Sequence, residues 1–459
     1  MITQSKEMKI PQENSIKKAV PVILLLFLIC LVIDNSFKIV SVDMAKDFNI
    51  SATMVSWQST LAGLMIGIGA VVYATLADSV SLRKLFIIGI ILICIGSVMG
   101  FIFQNSFIMV VFSRVIQTAG LASAETLYVI FVTKHLPLNE QKKFLGFCTS
   151  CFALSQVIGA LTGGYVSTYF HWTTLFLVPL LTLIFLPFVM KYLPKEVEKK
   201  GNIDVFGLIL VGSIAASLLL YISEFNTLYL LTLIVAVTLF LIYISKKSNA
   251  FIGISFFKNQ TFLSLLIIAF IIYSVQLAFI FVFPFLLENI YGFKLDTISL
   301  LLIPAYIVAA IVGMLSGKVA SVLSTKQCII IALSGISVSL ALGGLFIHTS
   351  VITLIFSMIL FSSSFAVMYA PLLDSCVSTI GKEKSGTAVG FYNLTLNVAG
   401  SIGIAYTAAM VDRLPKIESI HVFFDSPNLS LYSSILLILS IIVLFSLLLY
   451  WLLGRRLAK

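Results

Sequence analysis

Stretches of about twenty apolar residues recur along this chain from residue 19 to residue 453, and no other feature limits its fold more. A run of that length crosses the hydrocarbon core of a bilayer as a helix. The runs fall near 19–41, 52–75, 84–104, 106–133, 144–168, 172–193, 203–222, 227–245, 261–287, 297–320, 327–347, 350–377, 386–411 and 430–453, which makes fourteen expected spans. A large soluble core is excluded by composition. Of 459 residues, 60% are hydrophobic and 10% charged, so polar groups are too few to cover a water-facing surface. Long stretches are apolar all round, without the polar face of an amphipathic helix. The first run has no small-residue cleavage site and further spans follow at once, so it reads as a span and not as a signal peptide.

The loops test the count independently, because Lys and Arg accumulate on the cytoplasmic side of a membrane. With the N-terminus inside, the cytoplasmic segments hold 23 of the 29 basic residues, among them Arg83, Lys84, Lys142, Lys143, Lys199, Lys200, Lys246, Lys247, Arg455 and Arg456. The external loops hold Lys46, Lys294, Arg413 and Lys416. An odd number of spans would scramble this alternation, so both termini are expected inside. The net charge of +10 is then mostly a topology signal and gives no reason to invoke nucleic acid.

Two halves of the chain echo each other. GFCTSCFALSQVIG from Gly146 and GFYNLTLNVAGSIG from Gly390 share their first two and last two residues at an offset of 244. ATLADSVSLRK from Ala74 and GKVASVLSTKQ from Gly317 align at 243. Spans 1 to 6 then correspond to 9 to 14, with spans 7 and 8 an inserted pair. The expected organisation is a cytoplasmic tail 1–18, a six-helix bundle 19–193, a linker with two inserted helices 194–260, a second bundle 261–453 and a tail 454–459. Two bundles related by a repeat are the architecture of secondary transporters, with the substrate site near the midplane between them. No polar segment is long enough for a soluble enzyme domain, so an enzyme is not expected. Cys148 and Cys151 form a CTSC without further ligands placed to complete a metal site, and the six cysteines read as helix-packing residues.

Charges inside the spans single out candidate residues. A charge at the bilayer centre costs at least about 2.5–3.5 kcal/mol, and such groups mark pathways more often than not. Asp34 and Lys38 stand four residues apart in span 1, the acid first, which is the favourable order for a pair on one helix face. A purely structural ion pair and a switch, in which Asp34 releases Lys38 on binding a proton or a substrate, are both open. In span 4, Arg114, Gln117 and Glu125 share a stripe, the last eleven residues or about three turns from the first. The stripe lines either a polar pathway or a static hydrogen-bond network. A nearby cation favours an ionised carboxylate and apolar surroundings favour the neutral acid, so Asp34 or Glu125 is a candidate to gain and lose a proton. In span 5, Ser155, Gly159 and Gly163 recur every four residues as a strip that another helix can approach closely, with Gln156 and Gly164 beside it. Asp78 ends span 2 ahead of Arg83; an acid at a helix C-terminus is unfavourable unless paired, so it either contacts a cation on a neighbouring helix in one conformation or lies in a merely solvated turn.

These motifs resemble the major facilitator superfamily, specifically its fourteen-helix drug:proton antiporter branch. The loop signature after span 2 appears as ATLADSVSLR, keeping Leu76, Ala77, Asp78 and Arg83, with Ala74 and Ser81 in place of its glycines. The span 4 signature appears as RVIQTAG, keeping Arg114, Gln117 and Gly120. The antiporter signature of span 5 appears as SQVIGALTGG, keeping Gly159, Gly163 and Gly164, with Ala160 replacing its proline. Within the branch, IDNSFKIVSVDMAKDFNIS in span 1 and DVFG from Asp204 look most like the Gram-positive tetracycline efflux pumps of staphylococcal chromosomal type. Plasmid-type pumps carry further acids where this chain has Gly400 and Ser321.

The resemblance implies an all-α polytopic protein of a bacterial plasma membrane, a monomer, exporting an amphipathic, cationic drug of tetracycline type in exchange for protons. It implies no cofactor, although the substrate can arrive as a divalent-metal complex. Arg114 would tune the proton site, and Asp78 with Arg83 would lock one conformation. The strip of Gly159, Gly163 and Gly164 would mark antiport. Asn393 and Asn397, opposite the span 5 face by the repeat, join the pathway candidates with Gln156. A lipid, fatty-acid or monovalent-cation exporter on the same fold is the alternative.

Overall fold

The computed structural model describes residues 13–194, 204–247, 254–315, 319, 322–380, 385–416 and 426–457. Lys199 and Lys200 of the linker and Ser321 lie outside the described residues.

Inside a bilayer no water is available to the backbone, so each span must close its own hydrogen bonds. Fourteen apolar helices do so: α1 (Glu13–Ile39), α2 (Ala52–Leu76), α3 (Leu82–Ile102), α4 (Phe107–His135), α5 (Leu138–Tyr169), α6 (Trp172–Tyr192), α7 (Val205–Glu224), α8 (Thr227–Lys246), α9 (Gln260–Tyr291), α10 (Leu295–Met314), α11 (Thr325–Leu345), α12 (Val351–Ser378), α13 (Ser385–Arg413) and α14 (Pro427–Leu457). Span for span they match the apolar runs. α6 is irregular: it winds as 3-10 helix until Phe185 and becomes α-helical only from Leu186. Pro179 and Pro187 each remove a backbone donor from this stretch. A short helix, Ser41–Asp47, follows α1 where the sequence suggested only a loop.

Helix ends leave unpaired amides, and polar side chains take them up. The Ser51 hydroxyl accepts from the Met54 amide at the start of α2, and Asn259 accepts from Phe262 at the start of α9. Ser324 and Gln327 form a capping box on α11.

The helices form two six-helix bundles, α1–α6 and α9–α14, and the packing repeats as the sequence does. In the first bundle α3 packs on α4, α1 on α5 and α2 on α4; in the second α11 packs on α12, α9 on α13 and α10 on α12. Each pair is its counterpart shifted by eight helices. The two seams between bundles, α2 against α13 and α5 against α10, exchange under the same shift. The inserted α7 and α8 pack on each other, and α7 lies along α13 and α2 beside one seam.

Bonds joining the bundles cluster at the end opposite the basic loops. The Asp412 carboxylate on α13 accepts the amides of Ala52 at 3.1 Å and Thr53 at 2.7 Å, the first two of α2. Lys46 pairs with Glu288. The Tyr169 hydroxyl donates to Asp296 at 3.1 Å, and the Asp296 amide donates to the Thr168 hydroxyl at 3.2 Å. Arg413 donates to the Ser223 carbonyl and ties α13 to α7. This end of the molecule is closed.

Candidate functional site

Close helix packing builds the site. A Cβ on Gly96 would stand 2.5 Å from the Gln117 amide nitrogen, and one on Gly120 would stand 2.4 Å from the Gly89 carbonyl oxygen. With hydrogen there instead, α3 and α4 meet backbone to backbone. Ser97 then reaches Gln117, whose side-chain amide donates to the Ser97 hydroxyl at 2.9 Å. The Gln117 carbonyl oxygen, turned the other way, accepts from the Arg114 guanidinium.

Arg114 is 1% exposed. Its guanidinium lies over the Phe37 ring, 4.1 Å from the centroid, and 3.4 Å from Asp34 Oδ1. Asp34 Oδ2 is 2.5 Å from Lys38 Nζ. One carboxylate on α1 is thus shared by two cations, one from its own helix and one from α4. The pairing expected of Asp34 and Lys38 from spacing is present, and Arg114 enters it as a third member. A buried cation needs such compensation.

Glu125 is placed differently. It is half-buried and makes no hydrogen bond or ion pair among the described residues. It lies within electrostatic reach of Asp34 and Lys38 in its own bundle and of Tyr369, on α12 of the other. Tyr369 is 36% exposed. The ring of Tyr273 meets Phe365 edge-on at 4.9 Å and Tyr392 at 6.4 Å. The first bundle thus gathers two acids and two bases around α1 and α4, and the second brings Tyr369 within electrostatic reach of Glu125.

The span 5 strip serves two partners. A Cβ on Gly159 would lie 2.7 Å from that of Asn35, and one on Gly163 2.7 Å from the Ser36 carbonyl oxygen, so both glycines seat α1. The same face carries Ser155, which accepts from the Asn35 amide at 3.2 Å, and the Gly159 carbonyl, which accepts from Ser36. Gly164 faces the other bundle, where a Cβ would stand 2.5 Å from the Leu295 carbonyl oxygen. Gln156 is half-buried one position past Ser155.

Asn393 is exposed, and Asn397 donates to its carbonyl at 3.0 Å. α13 packs on α2 and α9, not on α5, so Asn397 lies against Gly67 of α2. At Gly400 a Cβ would meet the end of the Leu277 side chain at 2.3 Å, so that side chain would have to shift to admit the acid of plasmid-type pumps. Asp78 is exposed and Arg83 half-buried, and neither forms an ion pair among the described residues. Residues 316–318 and 320–321 of the repeat-related loop lie outside them.

Sequence reasoning missed the inter-bundle bonds of Asp412, Asp296 and Glu288, which sit at helix ends where charge is ordinary. It also missed Gly63 and Gly67, where a Cβ would meet Ser401 at 2.6 Å and Asn397 at 2.9 Å. Their four-residue spacing was a visible signal. Among the described residues no group of three or more His, Cys, Asp or Glu is placed to hold a metal ion.

Comparison with known proteins gives a consistent picture. The riboflavin transporter RibZ of Clostridioides difficile (strain 630) is 23% identical over 369 residues, covering 79% of this chain and 81% of that protein. The quinolone resistance protein NorB of Staphylococcus aureus (strain MRSA252) is 23% identical over 392 residues, covering 81% and 83%. In fold, the chain is similar to a bacterial homologue of the human lysosomal transporter Spinster in an inward-facing, unoccupied conformation, with a TM-score of 0.69 at 13% identity over 96% of this chain and 97% of that one. The Major Facilitator Superfamily model matches residues 22–404. The protein is a multi-pass transporter of the bacterial cell membrane and belongs to the major facilitator superfamily.

Proposed function

We propose that the protein is a proton-coupled exporter of amphipathic drugs that works by alternating access, with Glu125 as the group that exchanges proton for substrate. The observation that carries this reading is the inequality of the two carboxylates. Asp34 is engaged by Lys38 and Arg114, whereas Glu125 is half-buried, makes no ion pair among the described residues and lies within electrostatic reach of Tyr369 in the other bundle. An unpaired membrane carboxylate at such a place is available to a proton or to a positively charged group, but not to both at once. Asp34 then sets the field in which Glu125 titrates, through the balance of charge it keeps with Lys38 and Arg114.

The basic loops define the cytoplasmic side. The closed end is then external, and substrate reaches the site from the cytoplasm. Opening the external end requires the bonds of Asp412, Asp296 and Glu288 to part, with Asp78 and Arg83 as candidates to close the opposite end. Gln156, Asn393 and Asn397 are further pathway candidates.

Tetracycline-type drugs are the proposed cargo. Flat conjugated rings with charged substituents suit a place where Glu125 of one bundle and the exposed ring of Tyr369 of the other come within electrostatic reach. The relatives named for riboflavin and for quinolone resistance are named for fused heteroaromatic compounds of the same general shape. The test is export from cells expressing the chain, measured for a tetracycline, a quinolone and riboflavin, with and without a proton uncoupler. Uncoupler-sensitive export of a fused-ring compound supports the reading. Export insensitive to the uncoupler, or confined to fatty acids, contradicts it.

A further inference from the structure

The DVFG motif opening α7 takes no part in the site just described, yet it organises a distinct feature at the basic end of the inserted pair. Asp204 is 7% exposed and caps α7 by accepting the Gly207 amide at 3.1 Å. It also accepts from the Tyr243 hydroxyl and, at 3.1 Å, from Lys247 Nζ, both from the end of α8. Lys247 donates in addition to the Tyr243 hydroxyl at 2.5 Å. Beside this cluster runs an open groove of about 410 Å³ lined by Phe206, Leu239, Ile242, Tyr243, Lys246 and Lys247.

The groove is amphipathic along its length. Phe206 is 54% exposed, and Leu239 and Ile242 are similarly open on the outer face of the pair, where the surroundings are lipid. At the basic end the apolar lining gives way to a phenol and two ammonium groups. Lys247 is already engaged by Asp204, but Lys246 is exposed and has no ion-pair partner among the described residues. Among the described residues two cations stand against one carboxylate, a surplus positive charge where the hydrocarbon ends. A zwitterionic headgroup would bring no net charge to match it, whereas an anionic one would.

We propose that this groove seats one anionic phospholipid, its phosphate on Lys246, Lys247 and Tyr243 and an acyl chain along Phe206, Leu239 and Ile242. Asp204 is a positioning residue: by holding Lys247 and Tyr243 together it shapes the headgroup end. The inserted pair thereby gives the transporter a site for the lipid of the leaflet on its basic side. The site shares no lining residue with the one around Glu125 and does not depend on what is transported.

The experiment is native mass spectrometry of the full chain, purified in mixed micelles with equal phosphatidylglycerol and phosphatidylcholine. The wild-type chain is expected to retain one phosphatidylglycerol in preference to phosphatidylcholine. Lys246→Gln should lower that preference by about fivefold, the effect of one lysine near an anionic surface, and Lys246→Arg should keep it. Lys246 is exposed, so loss of folding is not expected, and thermal unfolding in phosphatidylcholine alone should be the same for all three chains. An absence of preference in the wild type, or an unchanged preference in Lys246→Gln, overturns the proposal.

Discussion

Asp34 Oδ1 lies 3.4 Å from the Arg114 guanidinium, an ion pair that joins α1 to α4 across 80 residues of chain. Because Arg114 is almost wholly buried, removing its acid leaves a charge with no counter-ion. Asp34→Ala is therefore expected to destabilise the protein by about 3–5 kcal/mol, as breaking a buried pair does. Lys38→Met leaves the Arg114 contact in place as a counter-ion for Asp34 and should cost less than Asp34→Ala, while changing the pH dependence of transport. Thermal unfolding in detergent, with transport assayed against pH, checks both. Equal losses of stability would mean that Arg114 does not depend on Asp34.

Gly164 is expected to act between the bundles and Gly163 within one. A methyl group on Gly164 meets the Leu295 carbonyl oxygen and the Ser299 hydroxyl, whereas one on Gly163 meets Ser36 of α1. A backbone carbonyl cannot rotate away as a side chain can, so α5 and α10 must separate at a cost of about 1–3 kcal/mol. Spin labels at Met54→Cys and Leu300→Cys, on a chain freed of its six native cysteines, report the gap at the closed end. Gly164→Ala should lengthen that distance, and Gly163→Ala should leave it unchanged while lowering thermal stability.

Asp412 supplies the other seam with a helix cap from across the interface. Its two oxygens take the amides of Ala52 and Thr53, while Ser51 takes that of Met54. Asp412→Ala should remove about 1 kcal/mol from the closed form. The open population seen by the same pair of labels should then rise roughly fivefold, since each 1.4 kcal/mol is a factor of ten. An unchanged distribution would show that this cap does not hold the end shut.

The fourteen helices were legible because a bilayer imposes a length and a composition that recur in the sequence without reference to tertiary structure. The two bundles were legible through the repeat, whose offset reappears as paired helix contacts. Asp34, Lys38, Arg114 and Glu125 stood out as charges in apolar runs. Their division into three bonded groups and one unpaired group was not legible, because it depends on Gly96 and Gly120 letting α3 and α4 touch and on Ser97 turning Gln117 toward Arg114. Asp412 and Asp296 gave no signal, since an acid at a helix end next to water needs no special reason. The 3-10 winding of α6 was hinted at by Pro179 and Pro187, but an apolar run of the right length reads as a span whichever helix it forms. Asn397 shows the limit of the repeat: duplication relates α13 to α5 by symmetry, whereas direct contact pairs it with α2.

Glu125 is half-buried and has no bonded partner among the described residues, so Glu125→Gln should cost less thermal stability than Asp34→Ala, which strips a buried cation of its counter-ion. The direct test of coupling is substrate-driven proton release from acid-loaded inside-out vesicles, with a tetracycline as substrate. Release is expected from the wild-type chain and not from Glu125→Gln, nor from Glu125→Gln combined with Asp34→Asn, at matched protein levels. Proton release of wild-type size from the double variant would contradict the assignment of these carboxylates to coupling.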